Sequence, residues 1–348
     1  MLAYNFLKQS SFICTEEILA VLHHLSEWQP VETLRNVLPE LTDDELNDSI
    51  EALAGVGGVI IKGSEEAEIE HKKVDRWEWG IPSAMLHYGE QDRNFQSREA
   101  AEAIQIERQG NKAQPPLFEL NTKYRTVHQL AMPVLTLHCT SIMRRRRTIR
   151  EVHRSAISLQ VLSDCLFSGM GITGSVKNCV GELPLSMTPS GGARNPYEAY
   201  VYVSRVTGLD PGFYHYSAKE HSLGLVKKCK LDAPSQMVGD QKWIDDMSTI
   251  VFLCANFERS MWKYQDNNAY RVILIEAGHI AQNMMLTATE HGLTACPSAA
   301  LAHSHITEHL GFDGGLQSPI YALMLGKPKI PLSVEPVSDV HHPSESRH

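Results

Sequence analysis

Tyr270 to Ala300 reads YRVILIEAGHIAQNMMLTATEHGLTACPSAA, and this stretch decides the fold. Ile273, Leu274, Ala277, Ala281 and Met285 spread apolar surface over more than one side of a helix running from Tyr270 to His291. Such a helix is buried in a core or forms a subunit interface. Gly292 ends it, and the residues from Thr294 to Ala300 are mostly small. Small residues there either floor a flat ligand or make a tight helix-to-helix turn, and the sequence leaves both open. Working outward, the patterns predict a helix over Leu159 to Ser168 and strands over Glu198 to Ser204, Thr249 to Ala255 and Ile320 to Leu325. A hairpin is expected near Gly208 to Tyr216. The order of elements reads as α+β.

The chain has 348 residues, enough for two domains because one core rarely grows past about 250 residues. Hydrophobic residues at 43% and charged residues at 21% fit a folded soluble protein and exclude global disorder. No apolar stretch is long enough to span a bilayer, and the N-terminus MLAYNFLKQSSFICTEE lacks the pattern of a secretory signal. The seven cysteines, Cys14, Cys139, Cys165, Cys179, Cys229, Cys254 and Cys296, form no C-x-x-C pair. That points away from a zinc site or a disulfide framework and towards a reducing cytoplasm. His303 and His305 have the wrong spacing for helical metal ligands, and no metal is expected. A net charge of -9 gives no general attraction to nucleic acid or to an anionic membrane.

The first 75 residues read as a small helical module. Thr15 caps a helix carrying Ile18, Leu19, Leu22 and Leu25; a short helix runs from Val31 to Val37; Thr42 and Glu45 form a capping box ahead of Leu46, Ile50 and Leu53. Gly55, Gly57 and Gly58 end that helix before an expected strand at Val59 to Ile61. Three helices and a hairpin suggest a winged-helix-like module. From Met1 to Glu66 three basic residues face twelve acidic ones, which argues against DNA and for a docking or dimerisation role. Glu65 to Asp75 reads as a polar linker or the outer part of the wing, followed by a tract with Trp77, Trp79, Pro82, Tyr88 and Phe95. Ser97 to Gln109 reads as a charged helix with Ser97 as its cap, and Gly110 to Pro116 as a loop.

Several short motifs could carry chemistry. Gly169 to Gly174 spells G-x-G-x-x-G, but it follows a helix where a dinucleotide site needs a strand, so it reads as a helix cap and turn on left-handed glycines. Within RRRRTIR, Arg146, Thr148 and Arg150 alternate, so in an extended segment they face one way and suit a phosphate monoester. PSGGARNP, Pro189 to Pro196, marks a turn where backbone approaches a ligand closely. Lys263 beside Tyr264 makes a candidate base if the two side chains converge in a dry site, where an ammonium favours a phenolate. The competing reading is a surface Lys beside a core Tyr.

Taken together, RRTIR, ISLQVLSDCLFSGMGITG, PSGGARNPYEAYVYV, GLDPGFYHYSAKEHSL, WKYQDNNAYRVILIEAGHIAQNMM and YALMLGKP resemble, in order, the SagB-type dehydrogenases of the FMN-dependent nitroreductase superfamily. The resemblance spans roughly Ser141 to Pro328. It implies a mixed sheet flanked by helices and a homodimer with one FMN at each subunit interface. It assigns the flavin phosphate to Arg146, Thr148 and Arg150, with Thr in place of the usual Ser and a late contact from Gly326-Lys327. It assigns the isoalloxazine to Pro189, Ser190, Gly191 and Gly192, with Cys296, Pro297 and Ser298 near the ring's other side. Lys263 and Tyr264 match the catalytic pair of azoline oxidases, while Asn195 stands where many relatives carry His. The implied reaction is oxidation of thiazoline or oxazoline rings in a precursor peptide, alongside the cyclising enzyme that makes those rings. Other functions stay open: an NAD(P)H-dependent reductase of nitro, quinone or dehydroamino-acid substrates, a flavin-dependent peptide or amino-acid oxidase, and a non-enzymatic leader-peptide scaffold. The domains expected are a docking module at 1–75, a connecting region at 76–140, the FMN domain at 141–335 and a tail at 336–348.

Overall fold

The computed structural model describes residues 1–89, 138–178, 181–264 and 268–330, with a few isolated positions between 91 and 107. The chain opens with an antiparallel ribbon of β1 (Leu2–Asn5) and β2 (Ser10–Ile13), Leu2 opposite Ile13. Thr15 accepts from the Ile18 N–H and starts α1 (Glu16–His24). A 3₁₀ turn covers Val31–Asn36. The capping box is present at α2 (Asp43–Gly55): the Thr42 hydroxyl accepts from the Glu45 N–H and the Glu45 carboxylate accepts from the Thr42 N–H. Val21, Leu34, Leu46, Ile50 and Leu53 close a small core.

Two expectations here are corrected. Residues 59–61 pair with no strand, and the hairpin stands ahead of the helices, so the helix-then-hairpin order of a winged helix is not present. The Asn5 amide donates to the Gly57 carbonyl at 2.8 Å, so the β1–β2 ribbon already occupies the backbone just before the expected strand. Glu65 to Asp75 is helical rather than a linker. The Ser64 hydroxyl accepts from Ala67 and starts α3 (Glu65–Glu70), which continues as a π-helical turn through Asp75. Local capping outweighed the polarity that suggested a linker. At Ser97 the expected cap is seen, its hydroxyl accepting from Ala100 at 3.2 Å. Most of the helix it begins, Phe95, the loop at 110–116 and the C-terminal tail lie outside the described residues.

Trp77, Trp79 and Tyr88, the last on α4 (Ile81–Gly89), are buried in the main core. α5 (His138–Arg145) carries the first two arginines of the basic run. Then come β3 (Val152–His153), α6 (Leu159–Met170), the ribbon β4 (Ile172–Asn178) and β5 (Gly181–Ser186), β6 (Tyr197–Val203), β7 (Gly212–Ser217), β8 (Ser222–Lys228), β9 (Thr249–Asn256), α7 (Glu258–Met261), α8 (Asn268–Glu290), β10 (Thr294–Ser298), α9 (His303–Leu310) and β11 (Gln317–Pro328).

The large sheet runs β10–β11–β9–β6–β7–β8, with β3 beside the end of β11. Among the described residues every pairing in it is antiparallel, which corrects the expected mixed sheet. Short hairpins join β6 to β7 and β7 to β8, and such connections force antiparallel neighbours. Residues on β9 alternate between two cores. Val251, Leu253 and Ala255 face α6 and α8, while Ile250, Phe252 and Cys254 face α9 and the segment around Met237 and Ile244. A sheet covered on both faces reads as a continuous apolar run, as TIVFLCA does.

The G-x-G-x-x-G run joins α6 to β4, the reverse of the order a dinucleotide site requires. Its glycines are not left-handed, contrary to expectation: Gly171 has φ -56°. Gly169 and Gly171 serve close packing, since a methyl at Gly169 would lie 2.5 Å from the Met284 side chain and one at Gly171 would strike the Phe167 ring. Thr294 to Ser298 form strand β10, with Cys296 opposite Met324, and not the tight helix-to-helix turn that the small residues also allowed.

Candidate functional site

The predicted site residues fall into two groups, one at each end of α8. The first gathers at the turn Pro189–Asn195. Gly192, Ala193 and Asn195 all adopt left-handed backbone, with φ of 62°, 53° and 45°. Such a conformation costs a non-glycine residue about 1 kcal/mol, so the turn needs fastening. The peptide N–H groups do much of it. Gly191 donates to the Glu276 carboxylate at 3.3 Å, Ala193 to the Ser190 carbonyl at 3.0 Å, Arg194 to the Gly191 carbonyl at 3.4 Å and Asn195 to the Ser190 hydroxyl at 2.8 Å. Asn195 also accepts from Ser186 at 3.0 Å through its side chain, and its carbonyl accepts from Arg259 at 2.8 Å. The residue that departs from the family pattern therefore holds the turn's shape.

Lys263 and Tyr264 lie on an irregular segment after α7, as two neighbouring side chains must if they are to reach one point. They converge on the turn: a methyl placed on Gly192 would lie 2.5 Å from both the Lys263 Nζ and the Tyr264 Oη. The ammonium stands 5.3 Å from the centre of the Tyr264 ring. Arg194 links the two segments, donating to the Gly192 carbonyl at 3.3 Å and stacking over Trp262 at 5.2 Å. Trp79 pins the Tyr264 carbonyl from below.

Sequence reading missed Glu276. It is 5% exposed, on the buried stripe of α8 between Ile273 and Ile280. Burial pushes its carboxyl up to about 6, against opposing hydrogen bonds from Ser190 and Gly191. A Glu inside VILIEAGHI at core spacing was the available signal. Glu276, Thr188, Asn195, Arg194, Arg259 and Glu198 line a cavity of about 660 Å³ behind the turn. Glu198 there is paired with Arg259 and with His215.

The second group lies beyond the other end of α8. Residues 146–150, which carry Arg146, Thr148 and Arg150, follow α5 without regular secondary structure. The Ile149 N–H donates to the Thr294 hydroxyl at 2.9 Å, and the Cys296 thiol reaches the Ile149 carbonyl at 3.4 Å. Cys296 is buried in the second core, and burial pushes its thiol up, so its side chain is spent on holding the arginine segment. Pro297 and Ser298 remain partly exposed. Gly326 pairs with Thr294, and Lys327 lies opposite His153. Arg150 stacks over Trp243 at 5.5 Å, while Arg147 turns back onto the carbonyls of Arg144 and Arg146.

The two groups are far apart in one chain. The turn touches α8 at Val272 and Glu276, and Thr294 follows its last residue, Glu290. Glu276 and Glu290 are separated by about 21 Å of helix. Both groups suit a flavin mononucleotide. One carries guanidiniums, a hydroxyl and an ammonium, groups of the kind that bind a phosphate; the other is a glycine turn closely approached by Val272, Lys263 and Tyr264. Among the described residues no group of His, Cys, Asp or Glu is arranged to hold a metal, and no helix is long and apolar enough to cross a membrane.

The sequence pattern of the nitroreductase family matches residues 143–327. Protein MJ1384 of Methanocaldococcus jannaschii, which bears a nitroreductase name, is 31% identical over 170 residues, covering 49% of this chain and 82% of that protein. The trifolitoxin-processing protein TfxB of Rhizobium leguminosarum bv. trifolii is 30% identical over 151 residues, covering 42% of this chain but only 40% of that relative. In the solved E. coli microcin synthetase McbBCD complex with truncated pro-MccB17 bound, a chain superposes with TM-score 0.50 at 18% identity, over 76% of this chain and 98% of its own length. At that identity the likeness is one of fold. Matched by the family pattern over more than half its length, this chain belongs to the nitroreductase family, whose members are FMN-dependent oxidoreductases.

Proposed function

We propose that this chain is an FMN-dependent dehydrogenase that matures a modified peptide by oxidising thiazoline or oxazoline rings to azoles. The observation that carries the reading is the convergence of Lys263 and Tyr264 on the Gly191–Gly192 ledge. Dehydrogenating an azoline removes a proton from one ring carbon and a hydride from its neighbour. Bound FMN supplies the hydride-accepting ring. Tyr264 Oη takes the proton as an anionic base and becomes the neutral phenol, and the Lys263 ammonium holds the negative charge that this oxygen carries before the transfer. Arg146, Thr148, Arg150 and Lys327 hold the phosphate. Pro189, Ser190, Gly191 and Gly192 would hold the isoalloxazine together with Pro297 and Ser298, while Cys296 bonds the arginine segment at the Ile149 carbonyl.

The two groups serve one flavin when two copies of the chain pair, each giving its phosphate end to one site and its ledge to the other. Val272, Leu274 and Ile275 form an exposed apolar stripe on α8 suited to that homodimer. The peptide-processing name of TfxB supports a precursor-peptide substrate, which in turn calls for a partner enzyme that forms the azoline. The acidic first 66 residues suit docking of a basic or neutral segment, with no nucleic acid or membrane partner, and the activity belongs in the cytoplasm.

The test is incubation with an azoline-bearing peptide in air, read by mass spectrometry for a loss of about 2 Da, the two hydrogens removed. The nitroreductase name of MJ1384 favours the reductive alternative. Rapid bleaching of the yellow protein by NAD(P)H, with no change in peptide mass, would replace the first reading with that one.

A further inference from the structure

We propose that Glu276 is a positioning residue that holds the flavin ledge in shape from the buried side, through the Gly191 amide. The proposal rests on the flavin reading above for its purpose, but its geometry stands apart from it. Burying a carboxylate is costly, and such groups persist in cores only with partners. Among the described residues, the partner of Glu276 is on the turn: the Gly191 N–H donates to its carboxylate at 3.3 Å. It stands on a 23-residue helix, the most rigid element beside the turn.

The turn needs an outside anchor at this end. The N–H groups of Ala193, Arg194 and Asn195 all bond back to Ser190 or Gly191. These bonds close the turn on itself but do not fix where it sits. At the Asn195 end, Arg259 takes the carbonyl, and Asn195 reaches Ser186 and Pro184. At the glycine end Glu276 takes the amide. Ser190 is held within the turn, its hydroxyl oxygen accepting from the Asn195 N–H. The Gly191 N–H, which the sequence alone would offer to a ligand, is thus turned inward to the helix. It acts on the flavin by locating the ledge and not by bonding the ring.

The charged and titratable groups around Glu276 do not compete for its role. Tyr197 on β6 donates to the Ile273 carbonyl and is kept neutral by burial, as is Tyr270 one helical turn earlier. Arg259 is engaged with Glu198 and Asn195, and Arg194 with Gly192 and Trp262.

The test compares Glu276→Leu with Glu276→Gln in the full-length chain. Leucine removes the acceptor; glutamine keeps the length and an acceptor oxygen while dropping the charge. Two readouts are taken at neutral pH: amide hydrogen exchange at Gly191 in flavin-free protein, and the dissociation constant for added FMN. The leucine variant should exchange at Gly191 about tenfold faster or more and bind FMN about tenfold more weakly or worse, with glutamine restoring both to within about threefold of the parent. Parental exchange at Gly191 in the leucine variant would overturn the proposal. So would a glutamine variant that behaves like leucine, since a hydrogen-bonding role predicts rescue. If the parent protein takes up no FMN, the flavin reading fails, while the exchange comparison still decides whether Glu276 holds the turn. Should leucine prevent folding, the glutamine variant alone decides, because slow exchange with the charge removed supports the anchor and fast exchange refutes it.

Discussion

The indole Nε1 of Trp79 donates to the carbonyl oxygen of Tyr264 across 2.8 Å, tying the segment ahead of α4 to the loop that carries Lys263 and Tyr264. Trp79 is 1% exposed and packs among Phe257 and Tyr270. The backbone N–H groups of Lys263 and Tyr264 both donate to the Ser260 carbonyl, and the Trp79 tie adds a hold from outside the segment. Trp79→Phe keeps most of the ring packing and leaves the Tyr264 carbonyl without its donor. It should cost about 1 kcal/mol of stability and lower kcat for peptide oxidation several-fold at unchanged FMN content. Steady-state kinetics beside a denaturation curve separates the two effects, and an unchanged kcat would leave the tie with a structural role alone.

Glu276 makes stability depend on pH in a stated direction. Its folded value of about 6 lies above the ordinary 4.5, because burial disfavours the charged form. The folded protein therefore binds this proton more tightly than the unfolded chain does. The resulting stabilisation is complete below about pH 4.5 and is lost as the pH rises through about 6, a change of about 2 kcal/mol. Glu276→Gln is neutral throughout. Its stability relative to the parent should rise by up to about 2 kcal/mol between pH 4.5 and pH 7.5 in urea unfolding. A constant difference across that range would mean the carboxyl is not raised.

How far the sequence went can be judged at these residues. Thr42-x-x-Glu45 and Thr15 announced their helices because a cap is a local device. The alternation of Arg146, Thr148 and Arg150 and the pairing of Lys263 with Tyr264 were visible because the residue types are distinctive. β8, β10 and the β4–β5 ribbon were not foreseen: TACPS holds its strand through β11, which comes later in the chain beyond α9, and SLGLVKK holds its own against the preceding β7 with little apolar alternation to announce it. Val59 to Ile61 misled in the opposite way, with good strand composition and no strand to pair with. Glu276 was hidden by its setting, because an acid within an apolar helix earns notice only when its partner, Gly191, is known to be near.

For the arginine segment, Arg146→Ala and Arg150→Ala should each weaken FMN binding by about ten- to a hundredfold, the worth of a charge-assisted bond. Arg147→Ala should leave the affinity nearly unchanged, because its guanidinium is turned onto backbone carbonyls. Fluorescence titration of flavin-free protein measures all three. Equal losses in the three variants would point to general electrostatic attraction in place of a shaped phosphate site.

Pairing of two chains carries its own prediction. Ile275 is 51% exposed in the single chain, beside Val272 and Leu274 on α8. An obligate dimer buries upwards of about 2,000 Å². Ile275→Glu places a charge on that stripe without touching either core, so the variant should remain folded but become monomeric and lose FMN at the same time. Light scattering with absorbance detection reads both. A monomeric variant that keeps stoichiometric FMN would mean one chain holds the flavin alone.

The catalytic pair gives the sharpest contrast. Tyr264→Phe removes the oxygen that approaches Gly192 and keeps the ring that packs on the main core. It should fold, retain FMN and lose about 10² to 10⁴ in rate, the usual worth of a general base. Gly192→Ala attacks the same point from the other side. Its methyl would meet the Lys263 Nζ and the Tyr264 Oη at 2.5 Å, on a residue whose φ of 62° already disfavours a side chain. It should displace both groups and reduce the rate with little further loss when combined with Tyr264→Phe, because the two changes remove one function. Reduction by NAD(P)H of an artificial acceptor needs no base at this position and should be spared by Tyr264→Phe. If Tyr264→Phe oxidises the azoline peptide at the parent rate, the pair is structural and the proton must leave by another route.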